Sequence, residues 1–513
     1  MGWVLKNKLY IYLALVFIFG LALRILSIWP SNIIFGFDQA RDFFDARTIF
    51  FDRNLRFIGP TAGNNPSLHH GVLYLYYILP PLLVGRGNPA IVAVWNSVFN
   101  TTTAVVLFFL ARSLFKSTKA GIISSIVTAA SFYYIQFSGW LSNPTGTLFT
   151  VPLCFLGIWL YKGGKKWGLL LASFFLGATI QFELFFIYLI PTFMILWVIL
   201  KLKISSVKLF FSSLALFIMA TSTMILTEIK FGFAGIKSVL FAGGLVGGTK
   251  MDFSGILINF IQNRWETFYL NIWPQNREVG TLIGIIATAI IIIETVKNWR
   301  SKEIFQRNLF ILIWFFSPAI MFVLGQHNAP WFYVGRPAAG ILIFTNLITK
   351  IKSKYLVSLV LALVLISNLV TVKNNLGVGQ VLLEPDKSAL LSTQLSVIDY
   401  TYQKSNKESF AIDTVTNPLY INAVWGYNYQ WYGLKKYGFL PDWLGGIQVH
   451  PYDNLPKSKS IDKYSYVIID DTPRIPPVYK TNAVKSAEKV GVLIEEVNQG
   501  GIKILTYKDK GFK

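Results

Sequence analysis

Long apolar segments recur along roughly the first 372 residues, and most charged residues lie in the short stretches between them. A helix crosses a bilayer with about 20 apolar residues, in a range of roughly 17 to 25. Only 14% of the residues are charged, whereas soluble domains have roughly a quarter. We therefore predict an α-helical multi-pass membrane protein with about 11 spans. The predicted spans are about 9–29, 88–111, 119–137, 143–161, 167–182, 184–200, 208–229, 279–296, 308–325, 335–349 and 355–372.

The basic residues predict which side of the cell membrane each loop occupies. Lys and Arg are enriched in the cytoplasmic loops of membrane proteins. With the N-terminus inside, every predicted inner loop carries basic residues, such as Lys162, Lys165 and Lys166, while the short turns near 138–142 and 325–334 carry none. This distribution places the N-terminus in the cytoplasm. It also accounts for the net charge of +22 without a nucleic-acid partner.

Residues 72–85, VLYLYYILPPLLVG, are apolar but too short for a confident span. We expect Pro80 and Pro81 to break a helix here, because proline removes a hydrogen bond and clashes with the preceding turn. If this segment crossed the membrane, every later basic loop would move to the other side. We therefore place it outside, at the bilayer surface or re-entrant.

The remaining segments divide the chain into two predicted domains. Residues 1–372 form the transmembrane domain, with a first outer loop at 30–87 and a second at 230–278. Residues 373–513 are polar and form an extracytoplasmic α/β domain, which a long segment allows despite its lysines. Its strand-like runs are SFAID, YSYVIID and GIKILTY, and its helical stretches lie near 388–404 and 417–436.

An acidic cluster, DQARDFFDARTIFFD, follows the first span at 38–52. Helical spacing places Asp38, Asp42 and Asp45 on one face of an amphipathic surface helix. In one interpretation, Asp38 caps the helix and the other carboxylates form a solvated face with Arg41. In the other, Asp38 points into a cavity at the membrane surface and accepts a proton from a hydroxyl nucleophile. Asp42 is the second candidate.

Two of the four histidines, His69 and His70, stand side by side before an aromatic, apolar run. Histidine titrates near neutral pH and can donate a hydrogen bond to phosphate. The alternative interpretation is a pair at the membrane interface without a chemical role. We treat both as candidate substrate-binding residues.

Four polar residues near the predicted outer turns are further candidates for substrate binding: Asn143, Glu183, His327 and Arg336. An ionisable group at membrane depth is by default a functional-site hypothesis, which applies most directly to Glu183. Arg336 suits an anionic headgroup through forked hydrogen bonds, or it is an interface anchor that snorkels. Asn143 also fits a simple turn before Pro144.

Several common chemistries have no signature in the sequence. Cys154 is the single cysteine, so no intrachain disulfide forms. The chain has no P-loop motif, no G-x-S-x-G and no H-E-x-x-H, and its four histidines lack metal-ligand spacing. We therefore predict neither a bound nucleotide nor a zinc site.

The order of these features resembles the GT-C superfamily of membrane glycosyltransferases. The resemblance is to the protein O-mannosyltransferase and lipid A aminoarabinose transferase group. It rests on FGFDQARD at 35–42, on HHGVLYLYY at 69–77, and on 95–144, which resembles the second and third spans of those proteins. It covers roughly residues 1–200 clearly and the tail weakly.

The resemblance implies an enzyme that moves a sugar from a polyprenyl-phosphate donor to a glycan, lipid or protein acceptor on the outer face of the bilayer. Asp38 would be its base. Two departures bear on a divalent metal, which stays possible: His70-Gly71-Val72 replaces a Pro-Pro motif, and Asn143 replaces a second acid, with Glu183 as the candidate substitute.

Two rival functions remain open. A transporter or flippase of lipid-linked glycans would favour inverted repeats and broken helices in the membrane, and neither is clear in the sequence. A non-catalytic scaffold would leave Asp38 and Arg336 far apart. An enzyme would instead bring Asp38, His69 or His70, Glu183 and Arg336 to one cavity.

Overall fold

The computed structural model describes residues 2–62, 65–241, 253–323, 330–378, 381–382, 387–457, 463–470 and 472–511. Helices form its first part and a mixed sheet with helices forms its last part. The helices up to residue 199 are α1 Gly2–Ile28, α2 Phe37–Phe51, α3 Leu73–Val84, α4 Pro89–Phe115, α5 Thr118–Ala130, α6 Phe132–Ser138, α7 Thr147–Lys162, α8 Trp167–Phe182 and α9 Leu189–Ile199. Short 3₁₀ helices at Asn143–Gly146 and Leu184–Tyr188 precede α7 and α9.

Eight more helices complete the helical region. They are α10 Val207–Lys230, α11 Ala234–Phe241, α12 Phe253–Ile272, α13 Arg277–Lys297, α14 Lys302–Phe316, α15 Ala319–Val323, α16 Pro337–Thr349 and α17 Lys354–Asn374. Each predicted span overlaps one or more of these helices. The multi-pass helical architecture predicted from the sequence is therefore confirmed.

The predicted number of spans is not confirmed. Among the described residues, six helices are long and apolar enough to cross a membrane, and the bent pair α5 and α6 would make a seventh. The six are Asn7–Ile28, Pro89–Phe115, Asn143–Lys162, Val207–Lys230, Arg277–Lys297 and Lys354–Asn374. Some other predicted segments fall on shorter helices, because breaks such as that at Glu183 divide the apolar runs.

The helices α5 and α6 meet at an angle of 48°, and the side chain of Arg24 in α1 fills the break. Its Nη1 donates hydrogen bonds to the carbonyl oxygens of Gly20 at 2.8 Å and Ala129 at 2.9 Å. Ala129 lies in the last turn of α5, where carbonyl groups lack partners within the helix. The buried guanidinium thus satisfies the end of α5 and complements its dipole.

Replacing Arg24 by Met should destabilise the protein, because Met leaves the Ala129 carbonyl group at the end of α5 without the donor that Arg24 supplies. Each unsatisfied buried group costs about 1–3 kcal/mol. We expect a lower midpoint of thermal unfolding in detergent. Arg112, an exposed residue in the last turn of α4, is the matched control, and equal midpoints for R24M and R112M would contradict this role.

Close backbone contact packs α7 against the first half of α8. A Cβ atom on Gly157 would lie 2.6 Å from the backbone nitrogen of Ala172, and one on Gly168 would lie 2.6 Å from the carbonyl oxygen of Gly157. Small residues at such positions let membrane helices approach closely. Gln181 then joins α8 to α10, since its Nε2 donates to Thr223 Oγ1 at 2.7 Å.

The two helices of the first loop differ from expectation at their ends. Gly36, not Asp38, is the N-cap of α2, and its N–H donates to the Gln39 side chain at 2.9 Å. The prediction that Asp38 caps the helix is therefore wrong. Helix α3 continues through Pro80 and Pro81 to Val84, so the expected break is also wrong. Both prolines lie inside α3, where each lacks the N–H that would bond the carbonyl group four residues earlier, and the helix continues without those two hydrogen bonds.

The C-terminal sheet has five strands: β3 Phe410–Val415, β4 Asp442–Trp443, β5 Tyr464–Asp470, β6 Gly491–Gln499 and β7 Ile502–Asp509. A two-stranded hairpin, β1 Thr61–Ala62 and β2 Asn65–His69, lies in the first loop. The sheet order is β4-β3-β5-β7-β6, with β3 and β5 parallel and β7 antiparallel to both of its neighbours. Its helices are α18 Leu391–Lys404, α19 Ala423–Asn428, α20 Leu434–Tyr437 and α21 Pro477–Val490.

The C-terminal α/β domain predicted from the sequence is confirmed, and each predicted strand-like run falls on a strand. This domain packs on the first loop. Phe35 N–H donates to Ala389 O at 2.7 Å, and Leu391 N–H donates to Ile33 O at 2.9 Å. The buried Tyr427 ring contacts the rings of Phe35, Phe43 and Phe44. Helix α2 is thereby fixed between the helical region and the sheet.

Candidate functional site

One arginine on α2 joins the two carboxylates that the sequence proposes as bases. Arg41 Nη1 donates to Asp38 Oδ1 at 2.7 Å, and Arg41 Nε donates to Asp42 Oδ1 at 2.9 Å. The Asp38 side chain is 64% exposed, whereas that of Asp42 is 2% exposed. Asp38 is thus accessible to a ligand, and Asp42 lies behind Arg41.

The surroundings of Asp42 shift the pKa of its carboxyl toward neutral pH. Burial raises the pKa of its carboxyl to about 7, against the opposing effect of the Arg41 charge. At this pKa the carboxyl exchanges its proton near neutral pH. The ion pair with Arg41 therefore depends on pH in the physiological range.

His70 and Glu183 form a buried contact beside this cluster. His70 Nδ1 lies 3.3 Å from Glu183 Oε1. A Cβ atom on Gly71 would lie 2.0 Å from Gln181 Oε1, so the loop before α3 presses directly on the end of α8. Burial, together with the nearby charges of Arg41 and His69, lowers the pKa of His70 to about 3. The imidazole is therefore neutral at pH 7.

His69 points into different surroundings from His70. Its Nδ1 lies 3.0 Å from the Gly59 carbonyl oxygen, and its ring stacks on Phe231 with the centroids 5.4 Å apart. It lines an apolar cavity of about 630 Å³. The other walls come from α8, the 3₁₀ helix after it, α9, α10 and α11, and include Ile180, Pro191 and Met224.

Asn143 belongs to a turn that a hydrogen-bond chain ties to α3. Tyr77 Oη donates to Asn96 Oδ1 at 2.9 Å, and Asn96 Nδ2 donates to Thr145 Oγ1 at 3.1 Å. Asn143 is itself buried at the start of this turn. The chain thus fixes the turn relative to the aromatic residues that follow His69 and His70. These hydrogen bonds give Asn143 a defined position.

Arg336 lies in other surroundings. Its Nε donates to Thr267 Oγ1 at 2.8 Å, and its guanidinium lies 4.5 Å from the Tyr333 ring centroid. His327 lies outside the described residues. Of the candidate residues, His70 and Glu183 are in contact in the structure. Asp38 is linked to the buried Asp42 through Arg41.

The described residues show no cluster of metal ligands. In the parts of the chain that the structure describes, no group of three or more His, Cys, Asp or Glu is arranged to hold a metal ion. The Oδ1 atoms of Asp38 and Asp42 both accept hydrogen bonds from Arg41, so these two carboxylates already share a cation. We derive no step through a metal.

Sequence reasoning missed the roles of Arg41 and Tyr74. The sequence places Arg41 on a solvated face. Its position three residues after Asp38 and directly before Asp42 nevertheless allows it to bridge the two carboxylates. Tyr74 lies within the electric field of Asp42 and Arg41. Its buried hydroxyl has no hydrogen-bond partner among the described residues. It was read only as part of an aromatic run.

Comparison with known proteins finds similarity in structure alone. No family model matches the chain, and no curated protein matches it. The apo structure of ArnT from Cupriavidus metallidurans superposes with a TM-score of 0.58 at 10% identity, covering 98% of each chain. The same protein bound to undecaprenyl phosphate gives 0.55 at 9% identity, again over 98% of each chain.

An oligosaccharyltransferase from Archaeoglobus fulgidus, solved with zinc and sulfate, gives a TM-score of 0.50 at 12% identity. The match covers 97% of this chain and 73% of that one. At identities this low, the superpositions show a shared fold only. The chemistry has to be inferred from the residues of this chain. The chain shares its fold with ArnT and with this oligosaccharyltransferase, in agreement with the resemblance in the sequence.

Proposed function

We propose that this protein is a membrane glycosyltransferase that moves a sugar from a polyprenyl-phosphate donor to an acceptor hydroxyl at the outer face of the membrane. One observation carries the proposal: the consecutive residues His69 and His70 face an apolar cavity and a buried polar cluster, respectively. A lipid chain in the cavity would therefore place its phosphate beside the cluster. The ArnT structure with undecaprenyl phosphate supports a ligand of this class.

The proposed reaction is a single displacement. The acceptor oxygen forms a bond to the anomeric carbon, the bond from that carbon to the phosphate oxygen breaks, and polyprenyl phosphate leaves. Asp38, the accessible carboxylate, takes the hydroxyl proton as general base. Arg41 holds Asp38 in position, and Asp42 in turn holds Arg41. One displacement inverts the configuration at the anomeric carbon.

Charge develops on the leaving phosphate during this step. Hydrogen-bond donors aimed at such a charge lower the barrier. His70 is the proposed donor, since a neutral imidazole carries one N–H. The Nδ1 atom of His69 bonds the Gly59 carbonyl oxygen, so His69 is proposed to contact the lipid donor with its ring at the cavity wall. Asn143, Glu183, His327 and Arg336 remain proposals for binding donor or acceptor. Arg336 would act on the phosphate only if the carrier reaches its surroundings near Thr267.

The test of the proposal is a transfer assay with a panel of polyprenyl-phosphate sugars and purified protein. The product is a glycosylated acceptor together with free polyprenyl phosphate. A transporter is the second candidate, favoured by the 48° bend between α5 and α6, because broken helices are typical of transporters. Proteoliposomes separate the two: movement of intact donor across the bilayer without release of polyprenyl phosphate would support the transporter.

Filling the apolar cavity should block the donor. Met224 of α10 lines the cavity, and replacing it by Trp would overpack the cavity by about 1–3 kcal/mol if the lipid chain still entered. We expect the affinity for polyprenyl phosphate to fall about tenfold or more, measured by binding in detergent. Met219 on the same helix is 57% exposed, so M219W is the control. Equal affinities for M224W and M219W would place the chain elsewhere.

The transfer rate should fall as the pH decreases below about 7, because protonation of Asp42, whose pKa burial raises to about 7, removes its ion pair with Arg41. The loss is expected on the acid side, since the deprotonated carboxylate is the form that holds Arg41. Asp42→Asn cannot titrate. We expect this variant to be slower and to lack this acid limb in kcat/KM. An unchanged limb in D42N would contradict the assignment.

A further inference from the structure

A second cavity, of about 380 Å³, lies where α2, the turn between α3 and α4, and the segment leading into α20 meet. We call it the basic pocket. Three cations line it, Arg47, Arg86 and Lys435, together with Trp431 and Phe51, and its lining contains neither Asp nor Glu. Its positive charge is therefore not compensated by its own walls.

Arg47 is held in place without a carboxylate partner in the pocket. Its Nη1 donates to Gln430 Oε1 at 2.8 Å, and its guanidinium lies 5.6 Å from the Phe51 ring centroid. Arg86 and Lys435 are exposed. A fixed guanidinium with further N–H groups, next to two accessible cations, is suited to a phosphate group.

The pocket adjoins the start of α4, which is long and apolar enough to cross a membrane. Arg86 is three residues before Pro89, where the span α4 begins. Exposed apolar side chains surround the cations: Phe51 is 63% exposed and Val84 is 82% exposed. Apolar side chains in the bilayer with cations at its surface are typical of binding to anionic lipids.

Trp431 closes one wall of the pocket through a contact that needs glycine. Gly87 has φ of +89°, and a Cβ atom there would lie 2.9 Å from Trp431 Cδ1. The Gly87 carbonyl oxygen also accepts a hydrogen bond from Tyr427 Oη at 2.7 Å. The pocket is thus formed jointly by the helical region and the C-terminal sheet domain, and a ligand in it contacts both.

We infer that the basic pocket binds the phosphate of an anionic glycerophospholipid in the surrounding bilayer. The uncompensated cations, the apolar surroundings and the position next to a span carry this inference. It does not depend on the proposed transferase activity, because the pocket contains none of the residues assigned to that reaction. A lipid bound here would stabilise the contact between α2 and the sheet domain.

The test compares lipid binding to the purified full chain and two charge-matched variants. R86Q/K435Q removes the two exposed cations of the pocket. R53Q/K485Q removes two exposed cations that do not line it. Each protein in detergent receives equal amounts of phosphatidylglycerol and phosphatidylcholine, and native mass spectrometry counts the bound molecules. A parallel titration uses inorganic phosphate alone.

We expect the wild type and R53Q/K485Q to retain phosphatidylglycerol over phosphatidylcholine, and R86Q/K435Q to bind it at least about tenfold more weakly, since each basic residue contributes about 1 kcal/mol to binding an anionic lipid surface. Equal retention by all three proteins would overturn the inference. So would a wild type that shows no preference between the lipids. Saturation of the pocket by inorganic phosphate without lipid binding would reject the lipid source.

Discussion

Asp38→Asn should reduce sugar transfer by about 100- to 10,000-fold, the usual contribution of a general base. The change keeps the size of the side chain and its ability to accept a hydrogen bond from Arg41, while it removes the proton acceptor. Expression and binding of polyprenyl phosphate should stay at wild-type values, because the carboxylate is 64% exposed and lies outside the apolar cavity. The measurement is kcat for transfer beside an equilibrium binding assay.

Asp52 provides the matched control for this prediction. It is the C-cap residue of the same helix and is also exposed, with His450 Nε2 at 3.1 Å from its Oδ2. D52N should therefore transfer at close to the wild-type rate. If D38N keeps more than about a tenth of the wild-type rate, the reduction is smaller than the smallest effect expected of a general base. Another group would then accept the proton.

Arg41→Met should have the largest effect on stability, because it leaves the carboxylate of Asp42 buried without its cation. Removing one partner of a buried ion pair costs about 3–5 kcal/mol. We expect a lower midpoint of thermal unfolding together with loss of transfer. Arg56, whose partner Asp45 is less deeply buried, is the graded control, and R56M should lower the midpoint less.

The double variant R41M/D42N separates the two roles of Arg41. It removes the buried charge as well as its partner, so the midpoint should return toward the wild-type value. Transfer should stay low, because Asp38 still lacks the guanidinium that positions it. Recovery of transfer in the double variant would show that Arg41 acts on stability alone.

Local patterns in the sequence predicted the elements well where one physical term dominates. Apolar length locates the helices of the helical region, and alternating apolar residues locate β3, β5 and β7. Neither pattern predicts the break at Ser131, which divides the predicted span 119–137 into α5 and α6. The end of α3 depends on how a short surface helix accommodates Pro80 and Pro81.

Burial separates the carboxylates of α2 in a way that spacing could not reveal. Helical periodicity places Asp38, Asp42 and Asp45 on one face, but it says nothing about what covers that face. Asp42 is buried behind Arg41, and Asp45 accepts from Arg56 at 2.8 Å although we expected it to face water. The covering groups come from distant segments, including Tyr452, whose ring packs on Phe44.

The histidine pair shows a similar limit. The sequence predicted a shared role for His69 and His70, but an extended segment directs neighbouring side chains to opposite sides. His70 contacts Glu183, and both were expected near one cavity, whereas His69 lines the apolar cavity. Long-range packing between the first loop and α8 fixes this difference, and it cannot be derived from either segment alone.

The most direct test of the proposed activity is a single-turnover reaction of purified protein with a radiolabelled polyprenyl-phosphate sugar and an acceptor extract. We predict that wild-type protein releases one polyprenyl phosphate for each sugar found on the acceptor, and that D38N binds the donor but releases polyprenyl phosphate at least about 100-fold more slowly. Donor that stays intact with every sugar of the panel, or equal release by D38N, would contradict the proposal.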